Sequence, residues 1–261
     1  MLNFCSLYSS SEGNCFYVQG LNTRILIDAG VSVKKIENAL ASIGVNINNI
    51  NAILVTHEHT DHSKSLGALS KKYNISVYAN EETWNVLPSQ KEKILKENQK
   101  KYIPEKSFIV GDLSIFPFKT PHDAVCPCGF NITCDNTKIS IATDLGHITP
   151  TIFEHLEKSA FVLLESNYDV EVLRCCSYPY HLKSRIAGNS GHLSNTDASK
   201  TIARLMDTGL KQVMLGHLSK ESNFPELAYQ TAIDEMSTKT IENIPIHIAS
   251  RSEPSEIIHI A

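Results

Sequence analysis

The segment His57-Glu58-His59-Thr60-Asp61-His62 constrains this chain more than any other. It places four potential metal donors in six positions, in the order His-x-His-x-Asp-His. Any fold that carries it must bring three imidazoles and a carboxylate together and hold them there. Upstream, Ala52-Ile53-Leu54-Val55-Thr56 reads as a buried β-strand. Downstream, Ser63 opens a helical pattern that runs to about Tyr73, with Leu66 and Leu69 on one side. The donors therefore fall on a strand-to-helix loop, at the end of a rigid element. In extended backbone, residues i and i+2 point the same way. His57 and His59 can thus reach one ion as a pair. Asp61 and His62 follow after the chain turns and can face a second. Imidazole nitrogen suits zinc, iron and manganese.

The chain has 261 residues, of which 42% are hydrophobic, enough for a sizeable core. No linker and no repeat interrupts it, so 1–261 reads as a single domain. The net charge of −4 excludes a generally basic nucleic-acid binder. An anionic substrate would need a local patch or metal ions to draw it. Met1 to Tyr8 lacks the basic and apolar regions of a signal peptide. No run reaches the length of about 18 apolar residues expected of a membrane span, so no membrane partner is expected. Seven scattered cysteines read as free thiols of a reducing cytoplasm. Cys126-Pro127-Cys128 has no second pair at zinc-site spacing and reads as small buried residues near a turn.

Strands are expected at 4–8, 15–18, 23–28, 52–56 and 75–78, with a turn over Ser9 to Asn14 and a helix over 33–43 ending at Gly44. The Lys- and Glu-rich stretch 90–101 reads as a solvated helix face or loop. From Phe108 to Ala142 strand follows strand, broken at Gly111-Asp112, at 121–127 and at Asp135-Asn136. Beyond lie a helix at 150–158, a strand at 160–165, helices within 169–187 and 194–207, a strand at 212–215, a helix at 225–239 and a strand at 245–249. This order fits an α/β (α+β) protein with two sheets packed face to face and helices outside.

One loop would leave two ions under-coordinated, since an open four-coordinate zinc site takes about three protein ligands. Further donors follow other strands. Phe116 to Pro121 ends in His122-Asp123, Ile139 to Thr143 ends in Asp144, and Gln212 to Leu215 ends in Gly216-His217. The expected assignment is His57, His59 and His122 on one ion, Asp61, His62 and His217 on the other, and Asp144 as the bridge. Asp28, closing the strand Ile25-Leu26-Ile27, is either an acceptor that orients a ligand histidine or a plain turn residue.

These pieces resemble the metallo-β-lactamase superfamily, from Asp28 to His217. That resemblance implies a four-layer αββα sandwich. Ser9 to Asn14, Thr56 to Ser63, His122-Asp123-Ala124, Thr143-Asp144, Leu164-Glu165-Ser166-Asn167 and Gly191-His192-Leu193-Ser194-Asn195 resemble the YycJ/WalJ family. The segment Leu215 to Asn223 is similar to the phosphodiesterase branch that includes tRNase Z. What is implied is a cytoplasmic 5′-to-3′ DNA exonuclease with two divalent ions (zinc, manganese or iron). The same resemblance suggests that Glu165 orients His192, which protonates the leaving group, with Asp61 also catalytic.

Substrate contacts are expected from several places. Val172 to Thr196 carries Arg174, Lys183 and Arg185, with Tyr178, Tyr180, His181 and His192 interleaved and no acidic residue. Such a patch suits phosphates and stacked bases. Ser10, Ser11 and Asn14 could bind a phosphate or form a hairpin turn, and Ser219 and Asn223 join them as candidates. An RNA-processing nuclease, a small-molecule phosphodiesterase and a non-catalytic regulatory protein are the alternatives. The oligomeric state is left open.

Overall fold

Apolar strands that end at polar donors organise both parts of the chain. The computed structural model describes residues 1–239 and 244–261. Its backbone forms two compact units. Unit 1 comprises Met1–Lys119, Ala124–Thr137 and Ser250–Ala261, and unit 2 comprises Thr120–Asp123 and Lys138–Ala249.

In unit 1, β1 (Leu2–Tyr8), β2 (Cys15–Gln19) and β3 (Arg24–Ile27) pair antiparallel. Helix α1 (Val33–Ser42) crosses over to β4 (Ala52–Leu54), which runs parallel to β3. Ser32 caps α1 by accepting from the Lys35 N–H, and Ile36, Ala39 and Leu40 face the core at helical spacing. Helices α2 (Thr60–Ser63) and α3 (Leu66–Tyr73) precede β5 (Ser76–Ala79). Two short helices, α4 (Glu81–Val86) and α5 (Pro88–Lys91), lead to β6 (Gln99–Lys101), and β5 and β6 extend the parallel half. The C-terminal strand Ile258–Ile260 closes the other edge beside β1. Strands β7 (Phe108–Val110), β8 (Leu113–Lys119) and β9 (Cys128–Cys134) form an antiparallel ladder.

In unit 2, β10 (Thr137–Ala142), α6 (Pro150–Leu156) and β11 (Phe161–Glu165) form a parallel crossover. Helices α7 (Val170–Cys175), α8 (Tyr180–Ile186) and α9 (Asn195–Met206) then lead to β12 (Gln212–Gly216). Helix α10 (Pro225–Met236) packs on α9 and delivers β13 (Ile246–Ile248). All four strands are parallel, in the order β13-β12-β11-β10. Parallel strands need such helical crossovers, and the uninterrupted apolar run of β11, Phe161 to Leu164, reflects burial on both faces. The class is mixed α/β.

Three elements differ from the sequence reading. The helix after the donor loop starts at Thr60 rather than Ser63, so Asp61 and His62 lie in its first turn. It breaks before Leu66, where the Ser65 N–H bonds to the Ala29 carbonyl at 2.9 Å. The 90–101 stretch ends in a strand, β6, whose Lys100 and Lys101 are the charged side chains of a sheet edge. Strand β4 stops at Leu54, because the Thr56 N–H turns from the ladder to the Asp28 carboxylate.

Gly30 fixes how closely β3 and the donor loop approach. A methyl there would overlap the Asp61 carbonyl oxygen. Gly30→Ala should therefore lower stability by roughly 2–3 kcal/mol in urea unfolding. Gly44, at φ 75° with open space around it, should lose only about 1 kcal/mol on the same change. Equal losses at the two glycines would contradict this packing.

Candidate metal centre

The unit 1 donors sit where β4 runs out. His57 and His59, two residues apart, bring their ring centroids to 4.6 Å, and His57 and His62 to 4.1 Å. Glu58 points away, its Oε1 accepting the Val125 N–H at 2.9 Å. The His59 carbonyl accepts the N–H groups of His62 and Ser63 at 2.9 and 3.0 Å, which opens α2 and swings Asp61 and His62 round.

Asp28 holds this loop from beneath. It lies just past β3 in the left-handed region, at φ 61°. Its carboxylate accepts the Thr56 N–H and hydroxyl at 2.8 Å each, and the His62 Nδ1–H at 2.7 Å. With its proton directed to Asp28, the Thr56 oxygen accepts from His57 Nδ1 at 2.9 Å. Both imidazoles are thereby fixed with the proton on Nδ1 and the lone pair on Nε2. Burial pushes the Asp28 carboxyl up, while His62 and the Thr56 bonds pull the other way.

The turn before β2 braces the same loop. Asn14 and Ser10 are buried, whereas Ser11 is exposed. The Asn14 N–H donates to the Asp61 carbonyl at 2.7 Å. Its amide nitrogen reaches the Ser10 carbonyl at 2.9 Å, His62 Nε2 at 3.0 Å and Asp61 Oδ2 at 3.4 Å.

Unit 2 gathers its donors at the C-terminal ends of three parallel strands. Asp144 follows β10 and His217 follows β12, both in the left-handed region at φ 59° and 57°. Glu165 is the last residue of β11 and is fully buried. Its Oε1 accepts His192 Nδ1–H at 2.7 Å and His217 Nδ1–H at 2.9 Å. Its Oε2 accepts the N–H groups of Leu145 and Leu193 at 3.0 and 3.2 Å. Burial pushes this carboxyl up, but His192 and His217 outweigh it and hold it far below the usual carboxylate range.

Asp144 Oδ1 stands 3.6 Å from His217 Nε2, 3.8 Å from His122 Nε2 and 3.8 Å from His192 Nδ1. His122 directs Nδ1 to the Gly191 carbonyl at 3.1 Å, so its lone pair too lies on Nε2. Burial lowers the pKa of His122, which keeps the ring neutral and able to ligate. Donor atoms of Asp144, Glu165, His192 and His217 all lie within 4.8 Å of one another. We read Glu165 as an orienting group rather than a ligand, because four hydrogen bonds already occupy its two oxygens.

Other expected site residues are placed as follows. Ser219 and Asn223 are buried. The Ser219 N–H donates to the Asn167 carbonyl at 2.8 Å, and the Asn223 amide bonds Ser166, Asn167 and Asn195. Arg174 is exposed and paired with Glu171 at 2.7 Å, one residue outside the stretch that reads as purely basic. Arg185 is paired with Asp123 at 2.6 Å. Thr56, which orients His57, had no role in the sequence reading, and Asp123, named there beside His122, lies 3.3 Å from His122 Nε2. The signal for Thr56 was adjacency to His57. Cys128 is buried with its thiol pushed up to about 12 by that burial, an inert group.

The donors are imidazole and carboxylate throughout, a set that accepts zinc, manganese or iron. Over residues 23–218 the chain matches the family profile described as Beta-lactamase superfamily domain. It is 39% identical over 233 residues to Exodeoxyribonuclease WalJ of Streptococcus pneumoniae, covering 88% of this chain and 87% of that protein. The chain belongs to the YycJ/WalJ family of metallo-β-lactamase-fold hydrolases. Exodeoxyribonuclease YycJ of Bacillus anthracis is 34% identical over 262 residues, 99% of each chain. In fold, this YycJ/WalJ-family chain is similar to the metallo-β-lactamase fold protein YhfI of Bacillus subtilis. The TM-score is 0.73 at 14% identity, over 97% of this chain and 98% of that one.

Removing an orienting carboxylate should loosen metal without unfolding the chain. Asp28→Asn and Glu165→Gln are each expected to weaken zinc affinity roughly 10- to 100-fold in competition with a chromophoric chelator. Unchanged affinity in both would remove their orienting role.

Proposed function

We propose that this protein is a metal-dependent 5′-to-3′ DNA exonuclease working on two divalent ions in the cytoplasm. The observation that carries the reading is the double use of Glu165. One buried carboxylate orients His217, an expected ligand, and His192, which the ligand count does not need. The 34–39% identical relatives named exodeoxyribonucleases support DNA as the substrate. Seven free cysteines accord with a reducing compartment.

In this reading His57, His59 and His122 would hold one ion and Asp61, His62 and His217 the other, with Asp144 as the expected shared ligand. Divalent ions bound by such donors supply Lewis acidity, lowering the pKa of water and offsetting charge on a phosphate. Asp61, whose side chain is 24% exposed, orients the attacking water. His192 keeps Nδ1–H on Glu165, and its Nε2 carries the proton delivered to the leaving oxygen. Ser10, Ser11, Asn14, Ser219, Asn223 and Arg185 belong to this proposal as substrate contacts or as braces for the groups that make them.

A panel of labelled single-stranded DNA, duplex DNA, RNA and bis-p-nitrophenyl phosphate tests the reading, with zinc, manganese or iron restored after chelation. The expected result is stepwise release of nucleotides from the DNA 5′ end, abolished by chelator. His192→Ala should cut kcat roughly 10²- to 10⁴-fold with metal content unchanged. Cleavage confined to RNA or to the small diester, or full activity of His192→Ala, would overturn it.

A further inference from the structure

An exposed arginine ordinarily keeps most of its rotamer freedom. Arg185, in the last turn of α8, is instead held at both ends within unit 2. Its side chain is 58% exposed, yet its Nε–H donates to Asp123 Oδ2 at 2.6 Å. Its backbone is packed against the loop that carries His192, because a methyl at Gly191 would overlap the carbonyl oxygens of Arg185 and Ile186. The His192 N–H donates to the Ile186 carbonyl at 2.9 Å, and His122 Nδ1–H donates to the Gly191 carbonyl at 3.1 Å. Arg185, His122 and His192 therefore share one hydrogen-bonded frame.

Asp123 stands between the guanidinium and His122. Its Oδ1 lies 3.3 Å from His122 Nε2, the nitrogen that carries the lone pair. Asp144 and Glu165, both buried, add further carboxylates at this end of unit 2. Such a field repels an incoming phosphate, so a phosphate seated here needs a cation fixed beside it. A guanidinium presents a planar fork of N–H donors that matches phosphate oxygens. With Asp123 engaging Nε–H, the direction of that fork is set before any ligand arrives, which removes an entropic cost of binding.

We propose that Arg185 binds a non-bridging oxygen of the scissile phosphate and that Asp123 is the positioning residue that aims it. The inference rests on the exonuclease reading above and adds to it the side chains that seat the reacting group. The contact is made to the phosphate and not to a base, so it is indifferent to sequence. Lysine cannot replace the arginine, because a point charge on a flexible stem has no Nε–H for Asp123 to hold while the rest of the group faces the phosphate.

The test pairs binding with turnover on the metal-reloaded full chain. Thymidine 5′-monophosphate, a mononucleotide of the kind that exonuclease action releases, is titrated by calorimetry, and hydrolysis of labelled DNA is followed in parallel. Arg185→Gln should weaken nucleotide binding roughly 10- to 100-fold and lower kcat/KM on DNA by a similar factor, with metal content and thermal melt unchanged. Arg185→Lys should recover little of either. Asp123→Asn should give a smaller loss that disappears when it is combined with Arg185→Gln, since Asp123 acts through that residue. Wild-type nucleotide affinity in Arg185→Gln, or loss of bound metal in that variant, would overturn the proposal and leave the pair a brace for His122. Nucleotide binding that depends on Arg185 without hydrolysis of any DNA keeps the phosphate seat and removes the exonuclease reading. Hydrolysis of DNA indifferent to Arg185 removes the seat and keeps the exonuclease.

Discussion

Two buried carboxylates, Asp28 and Glu165, decide what the histidines of this protein can do. Each is fully buried, a costly position for a charge unless hydrogen bonds compensate it. The compensation is the imidazole N–H groups themselves, with backbone and hydroxyl donors completing the set. Asp28 takes the Nδ1–H of His62 and, through Thr56, governs that of His57. Glu165 takes those of His192 and His217. The protonation pattern follows. His57, His62 and His217 carry their lone pairs on Nε2, which is the requirement for ligation. Without these acceptors the same rings could sit in either tautomer and would ligate weakly.

The backbone makes a related concession in each unit. Asp28, Asp144 and His217 are non-glycine residues in the left-handed region, each just beyond a strand. Such conformations are held only when surrounding bonds over-determine them, and they cluster at functional sites. Here the bonds can be named. The Asp28 N–H is held by the Leu54 carbonyl at 2.8 Å, and the His217 carbonyl by the Asn167 amide at 2.7 Å. A sharp turn immediately after a rigid strand aims a short side chain at a fixed point, with no flexible loop between scaffold and donor.

Much of this was legible in the sequence, because strand ends and donor residues are adjacent in the chain. The apolar runs before Asp28, His57, Asp144 and His217 locate β3, β4, β10 and β12, and the βαβ order of unit 2 follows from its helix spacing. Two kinds of feature were not legible. Partnerships between distant residues leave no local trace, so the pairing of Arg185 with Asp123 and of Arg174 with Glu171 changes a seemingly basic patch. Short polar elements were also hidden. Strand β6 has too few apolar residues to show a period of two, and α2 begins inside the donor run, where the composition speaks of ligands rather than of helix.

The central proposal is that these oriented donors would hold two divalent ions. Elemental analysis of the chelated and reloaded full chain tests it most directly, because it needs no assumption about substrate. The account predicts close to two equivalents of a divalent ion per chain, falling on Asp28→Asn and Glu165→Gln at limiting metal. A chain that retains no ion after reloading, or retains the same amount with all of His57, His62 and His217 replaced by alanine, would contradict it.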